Sequence, residues 1–140
     1  MSFLLDTNVV SEWTKPRPNP GVAAWLESVD EDRVHLSVVT LTELRYGIER
    51  MPTSHRRKRL TNWLEEELLP RFEGRILAID SSVADLCGQF VARTEAVGRR
   101  MEAMDAFVAA TAEFHRLTLI TRNVAHFESV VKDMLNPWAS

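Results

Sequence analysis

The sequence predicts an α/β protein whose parallel sheet is covered by helices on both faces. Three observations carry this. Short apolar runs alternate with longer segments of helical spacing along the whole chain. No repeat, low-complexity tract or linker interrupts the alternation. The 140 residues, 45% of them hydrophobic, suit one domain, spanning 1–140, with a sizeable core. Strands that alternate with helices form parallel sheets buried on both sides.

The elements follow in order. Phe3, Leu4 and Leu5 read as a short buried strand that stops at Asp6. NPGVAAWLESV reads as a helix with Asn19 as cap and Pro20 in its first turn. RVHLSVV is the second strand. TLTELRYGIER is helical, and Thr40 with Glu43 fits a capping box. SHRRKRLTNWLEEELLP is a helix with Leu60, Trp63, Leu64 and Leu68 on one stripe, ended by Pro70. RILAID is the third strand, with Asp80 as the start signal of the next helix. That helix, SSVADLCGQFVARTEAVG, ends at Gly98. AMDAFVAATAEFH has so few polar positions that deep burial is expected. LTLIT is the fourth strand, and ESVVKDMLNPW is either a fifth strand or irregular.

Composition removes some functional classes. Seventeen Lys and Arg against twenty Asp and Glu give a net charge of −3, so no global basic field marks a nucleic-acid binder. Cys87 is the only cysteine, which excludes an intramolecular disulfide and suits a reducing cytoplasm. MSFLLDTN lacks the charged start and apolar length of a signal peptide. No apolar stretch approaches a membrane span.

In sheets of this kind, ligands bind beyond the carboxyl ends of the strands, where strand order reverses. Asp6 stands at one such end. It either caps the following helix or points into a crevice that expects a charge. Glu43 follows the second strand and should project at the same edge. Asp105 opens an apolar helix, either as its cap or as a buried carboxylate that needs a counter-charge. Carboxylates converging from separate elements repel one another unless a cation lies between them. Hard oxygen donors without a Cys or His cluster point to Mg²⁺ or Mn²⁺ and not zinc. His35, His55, His115 and His126 show no paired ligand spacing. A site of this type suits phosphodiester hydrolysis.

Four segments, LLDTNVVSEW, LSVVTLTELRYGI, MDAFVAATAEFH and LITRNVAHF, occur in the order and spacing of PIN-domain ribonucleases. Within them the chain resembles the VapC-type toxins of toxin–antitoxin pairs, and their FitB-like branch in particular. The closing NPW and the GRIL before Asp80 share that likeness. The resemblance covers essentially the whole chain. It implies a three-layer α/β/α PIN-like fold with a central parallel sheet of about five strands. It further implies a Mg²⁺- or Mn²⁺-dependent endoribonuclease, a cognate antitoxin and a homodimer. Carried over residue by residue, Asp6, Glu43 and Asp105 are the catalytic and metal-binding acids. The fourth position, often acidic in the family, is Asn123 here. A neutral amide offers one oxygen and no charge, so a second ion should bind weakly or only with substrate. His126 reads as a surface or capping histidine.

HRRKR at 55–59 is the one dense basic run. Its cations sit at a helix start, and Glu65, Glu66 and Glu67 lie toward the helix end; both oppose the dipole. A partner would explain that, and Arg56, Arg57 and Arg59 are candidates for RNA phosphates or an acidic antitoxin segment. Arg99, Arg100 and Arg122 lie near the acidic positions and would steer phosphate toward them. Trp13 and Trp138 are less clearly inward than Trp63 and suit an interface.

Two other functions compete. One is a non-catalytic, antitoxin-binding module with a weakened metal site, for which Asn123 is the sole support. The other is a receiver-like phosphoacceptor domain. It lacks the acidic pair after the first strand and a lysine near the last.

Overall fold

The computed structural model describes residues 1–138. Five parallel strands form one sheet in the order β3-β2-β1-β4-β5. They are β1 (Phe3–Leu5), β2 (Val34–Ser37), β3 (Ile76–Leu77), β4 (Thr118–Ile120) and β5 (Met134–Leu135). The chain steps outward from β1 through β2 to β3, then returns to the other side of β1 for β4 and β5. Strand order therefore reverses between β1 and β4. The two pair in register, Phe3 with Thr118, Leu4 with Leu119 and Leu5 with Ile120.

Side chains alternate across a strand, and here both faces are apolar. Leu4 and Leu119 enter one core with Val83, Cys87, Phe90 and the alanines 106, 109, 110 and 112. Leu5 and Ile120 enter the other with Val9, Val10, Val22, Leu36, Leu64 and Phe72. The first core lies under α6 (Ser81–Ala96) and α7 (Ala103–Phe114). The second lies under α1 (Thr7–Ser11), α2 (Pro20–Ser28) and the run from α4 (His55–Asn62) to α5 (Leu69–Arg71). α3 (Val38–Glu49) serves both, with Val39 in the first core and Ile48 in the second. The arrangement is the expected three-layer α/β/α fold. Among the described residues no helix is long and apolar enough to cross a membrane.

Most local signals act as read. Asn19 accepts hydrogen bonds from the N–H groups of Gly21 and Val22, with Pro20 as the first residue of α2. Asp80 accepts from Val83 N–H at the start of α6. Gly98, at φ 74°, follows the end of α6 in the left-handed region that glycine favours. The fifth strand is present.

Several readings need correction. The cap of α3 is Ser37, whose hydroxyl accepts from Val39 N–H at 3.0 Å; Thr40 and Glu43 form no capping box. The helix starts three residues earlier than that motif implies, at Val38. The third strand shrinks to Ile76–Leu77. The basic helix runs one residue past Pro70 through a π-helical segment, Trp63–Leu68. Part of its charge is paired across helices: Arg57 lies 3.5 Å from Glu49, and Glu65 lies 2.9 Å from Arg45, while Arg56 and Arg59 make no ion pair among the described residues. Glu65 to Glu67 fall inside the helical run, not at its end. Trp13 and Trp138 both pack on the second core.

Because Ser37 and not Glu43 caps α3, Ser37→Ala should cost about 1 kcal/mol of stability. Glu43→Gln should stay within about 0.5 kcal/mol of wild type. Urea unfolding of the two variants measures both; a larger loss in Glu43→Gln than in Ser37→Ala would restore the capping role.

Candidate active site

β1 ends at Leu5, and Asp6 is the next residue, at the point where strand order reverses. Its N–H donates to Ile120 C=O at 2.9 Å, which locks it to the end of β4. Its carboxylate is 7% exposed and fully engaged. Thr7 N–H donates to Oδ1 at 2.8 Å, so Asp6 does cap α1. The Thr121 hydroxyl donates to Oδ2 at 2.8 Å, and the Asn8 amide approaches the same oxygen at 3.4 Å. Asp6 is thus both cap and crevice residue.

Glu43 projects from the second turn of α3, and its Oε1 accepts from the Thr7 hydroxyl at 2.6 Å. That hydroxyl also lies 3.0 Å from the hydroxyl of buried Thr40. Thr7 therefore ties Asp6 through its N–H and Glu43 through its side chain. Asp105 is the third residue of α7, not its cap; Glu102 holds that position. Its side chain is 34% exposed, so the expected deep burial applies to the helix around it and not to the carboxylate. His126 Nδ1 stands 3.6 Å from Asp105 Oδ2, which gives that histidine a place at the site.

The electrostatics join the three acids. Burial pushes the Asp6 carboxyl above its ordinary range; hydrogen bonds from Thr121 and Thr7 oppose the rise, and Asp105 and Glu43 add to it. Burial also raises Asp105, with His126 opposing and Glu43 and Glu102 adding. The acids that follow β1 and lie on α3 and α7 thus act on one another's charge across one sheet edge, after burial as the main cause.

Among the described residues no three His, Cys, Asp or Glu side chains stand close enough to form a finished metal cage. The donor set nevertheless fits a hard divalent cation, whose charge would favour the ionised forms that burial, and to a lesser extent the neighbouring acids, disfavour at Asp6 and Asp105. Asn123 is exposed and begins the short helix α8 (Val124–Phe127). Its N–H donates to the Thr121 hydroxyl at 3.0 Å, one step from Asp6.

The arginines divide. Arg99 and Arg100 line one cleft with Asp105 and His126. Arg56 lines a cavity that includes Thr7 and Glu43, and Arg59 lies in the hollow beyond it with Lys15. Arg57 instead turns to Glu49. The Arg122 guanidinium stacks 5.5 Å from the Trp138 ring centroid, and its charge reaches buried Glu12. There burial raises the carboxyl, but Lys15, the Asn19 N–H and Arg122 together hold it below its usual range.

Sequence reasoning missed Thr7, Thr40, Thr121 and the contact of His126. Thr121 stands at the end of β4 as Asp6 does at the end of β1, and that symmetry was the available signal.

The PIN domain model matches residues 3–132. The chain belongs to the PIN-domain family. This PIN domain is 40% identical to the toxin FitB of Neisseria gonorrhoeae over 136 residues, 97% of this chain and 98% of that one. It is 36% identical to the VapC ribonuclease Y4jK of Sinorhizobium fredii, over 97% of each chain. It superposes on a crystal structure of FitAcB from Neisseria gonorrhoeae with a TM-score of 0.91 and 39% identity, covering 99% of both chains.

Since the folded pKa of Asp6 lies above its unfolded value, its neutral form stabilises the fold. That contribution is complete below the unfolded value, near 4, and is lost as pH rises through the folded one. In metal-free buffer, Asp6→Asn should therefore raise Tm at pH 7, and the gain should shrink toward pH 4. Thermal scans across that range check the sign; a gain that grows on acidification would contradict it.

Proposed function

We propose that this PIN domain is a Mg²⁺- or Mn²⁺-dependent endoribonuclease, the toxin of a toxin–antitoxin pair. The observation that carries the reading is the placement of Asp6 at the reversal of strand order, tied through Thr7 to Glu43, with Asp105 near enough for its charge to act on Asp6. It is supported by relatives named a toxin and a ribonuclease over nearly the whole chain. The single buried cysteine, Cys87, suits a reducing cytoplasm, where RNA and a cognate antitoxin would both be met.

Asp6, Glu43 and Asp105 would hold the ion, with the Asn123 amide as a weaker, uncharged donor. When bound, the ion supplies Lewis-acid stabilisation of phosphate charge and an acidified water. The protein's own part is positioning. Thr121 and Thr7 N–H fix both oxygens of Asp6, and the Thr7 hydroxyl orients Glu43. Arg99 and Arg100 line the cleft that holds Asp105 and would attract an approaching phosphodiester.

Asp6→Asn and Asp105→Asn should each lower RNA cleavage by about 100-fold or more, beyond the loss typical of a residue that only supports a ligand, with the fold retained by circular dichroism. Full activity in either variant with Mg²⁺ present would remove the assignment. Restoring the fourth acid by Asn123→Asp should tighten binding of a second cation in calorimetric titration with Mn²⁺. Identical stoichiometry and affinity would place Asn123 outside the coordination sphere.

A further inference from the structure

Between α1, α3 and α4 lies a cavity of about 390 Å³, walled by Leu44, Ile48, Met51, Leu60 and Trp63. Thr7 and Glu43 line it as well, so it opens directly beside the candidate catalytic acids. A second hollow shares Ser11, Thr14 and Arg56 with this cavity and adds Lys15 and Arg59. Acidic centre, apolar cavity and basic hollow therefore adjoin in that order. The order matches one nucleotide unit: a phosphate at the reaction centre, an apolar-faced base, then the next phosphate.

We propose that the cavity takes the base of the nucleotide adjoining the scissile phosphate, with the following phosphate at Arg56 and Arg59, and so selects the cleavage sequence. The proposal rests on the ribonuclease reading. Stacking on an aromatic side chain holds any base, and Trp63 supplies that wall; the selection comes from the shape of the cavity around the stacked base. The size falls within the range of small-ligand sites, about 300–1,000 Å³. Charge complementarity favours a nucleotide over an apolar peptide side chain. Arg56 and Arg59 make no ion pair among the described residues, and phosphate would supply their counter-charge. Arg57, three residues before Leu60, is already paired with Glu49.

Gly47 offers a test that leaves the acids untouched. It lines the cavity from α3, and a Cβ built there meets nothing within 4 Å. A larger side chain at this position fills the cavity and not the core. The wild-type protein, Gly47→Ala and Gly47→Leu are each given a random-sequence RNA pool with Mn²⁺, and base frequencies around the cuts are read. KM and kcat follow on a preferred oligonucleotide and on the same oligonucleotide with an abasic site at the preferred position. Wild type should show a base preference at a nucleotide adjoining the cut. Gly47→Leu should erase it and raise KM about 10-fold, the scale of one lost stack, with a smaller change in kcat. The abasic substitution should cost wild type a similar factor and add nothing in Gly47→Leu. Gly47→Ala should lie between and keep or raise Tm; if Gly47→Leu fails to fold, Gly47→Ala and the abasic arm decide. Unchanged base preference and KM in the filled variants would overturn the proposal. So would a loss confined to binding of a partner protein with RNA cleavage intact, which would assign the cavity to that partner. Wild-type protein that cuts no RNA at all would instead contradict the ribonuclease reading itself.

Discussion

The buried carboxylate of Asp6 is the constraint on which the rest of the site depends. A carboxylate at 7% exposure survives only if its oxygens are met by donors. Here the first donor is the N–H of Thr7, at the start of α1, and the second is the hydroxyl of Thr121, at the end of β4. The first bond caps α1, and the second ties the end of β1 to the end of β4, where strand order reverses. They also explain why β1 is only three residues long: its apolar run has to stop where the charge begins.

From that anchor the other parts follow by short connections. Thr7 passes the constraint to Glu43 through its hydroxyl, and Thr40, buried behind it, backs the contact. Thr121 passes it to Asn123 through the backbone N–H. Asp105 is joined by charge alone, across the edge, with His126 as its counterweight. The acids at the site are thus held in place by threonines. Net charge of the whole chain is a poor guide to such a site, because the cations are local: Arg99 and Arg100 beside Asp105, Arg56 beside Glu43.

Much of this was legible in the sequence, for identifiable reasons. The strand–helix alternation and the caps at Asn19 and Asp80 rest on local chemistry, which the chain carries wherever it goes. Asp6 was legible because a charge directly after FLL has few explanations. The failures are equally local. Thr40 and Glu43 match a capping box in spacing, but Ser37 lies nearer the true start of α3, and tertiary packing of Val39 extends the helix to reach it. The charges of the basic helix oppose its dipole, and the structure accounts for that only in part: Arg57 pairs with Glu49 and Glu65 with Arg45, 8 and 20 residues apart in sequence, which no local pattern reveals, while Arg56 and Arg59 make no ion pair among the described residues. The roles of Thr7 and Thr121 were invisible because a hydroxyl has meaning only once its partner is known, and Asp6 and Thr121 are 115 residues apart.

The most direct test of the account is to locate the ion. Crystals soaked in Mn²⁺ and measured at the manganese absorption edge would give an anomalous signal wherever the metal binds. A peak is expected among the carboxylates of Asp6, Glu43 and Asp105, and its loss in Asp6→Asn. A protein that cleaves RNA with Mn²⁺ while the peak lies elsewhere would contradict it.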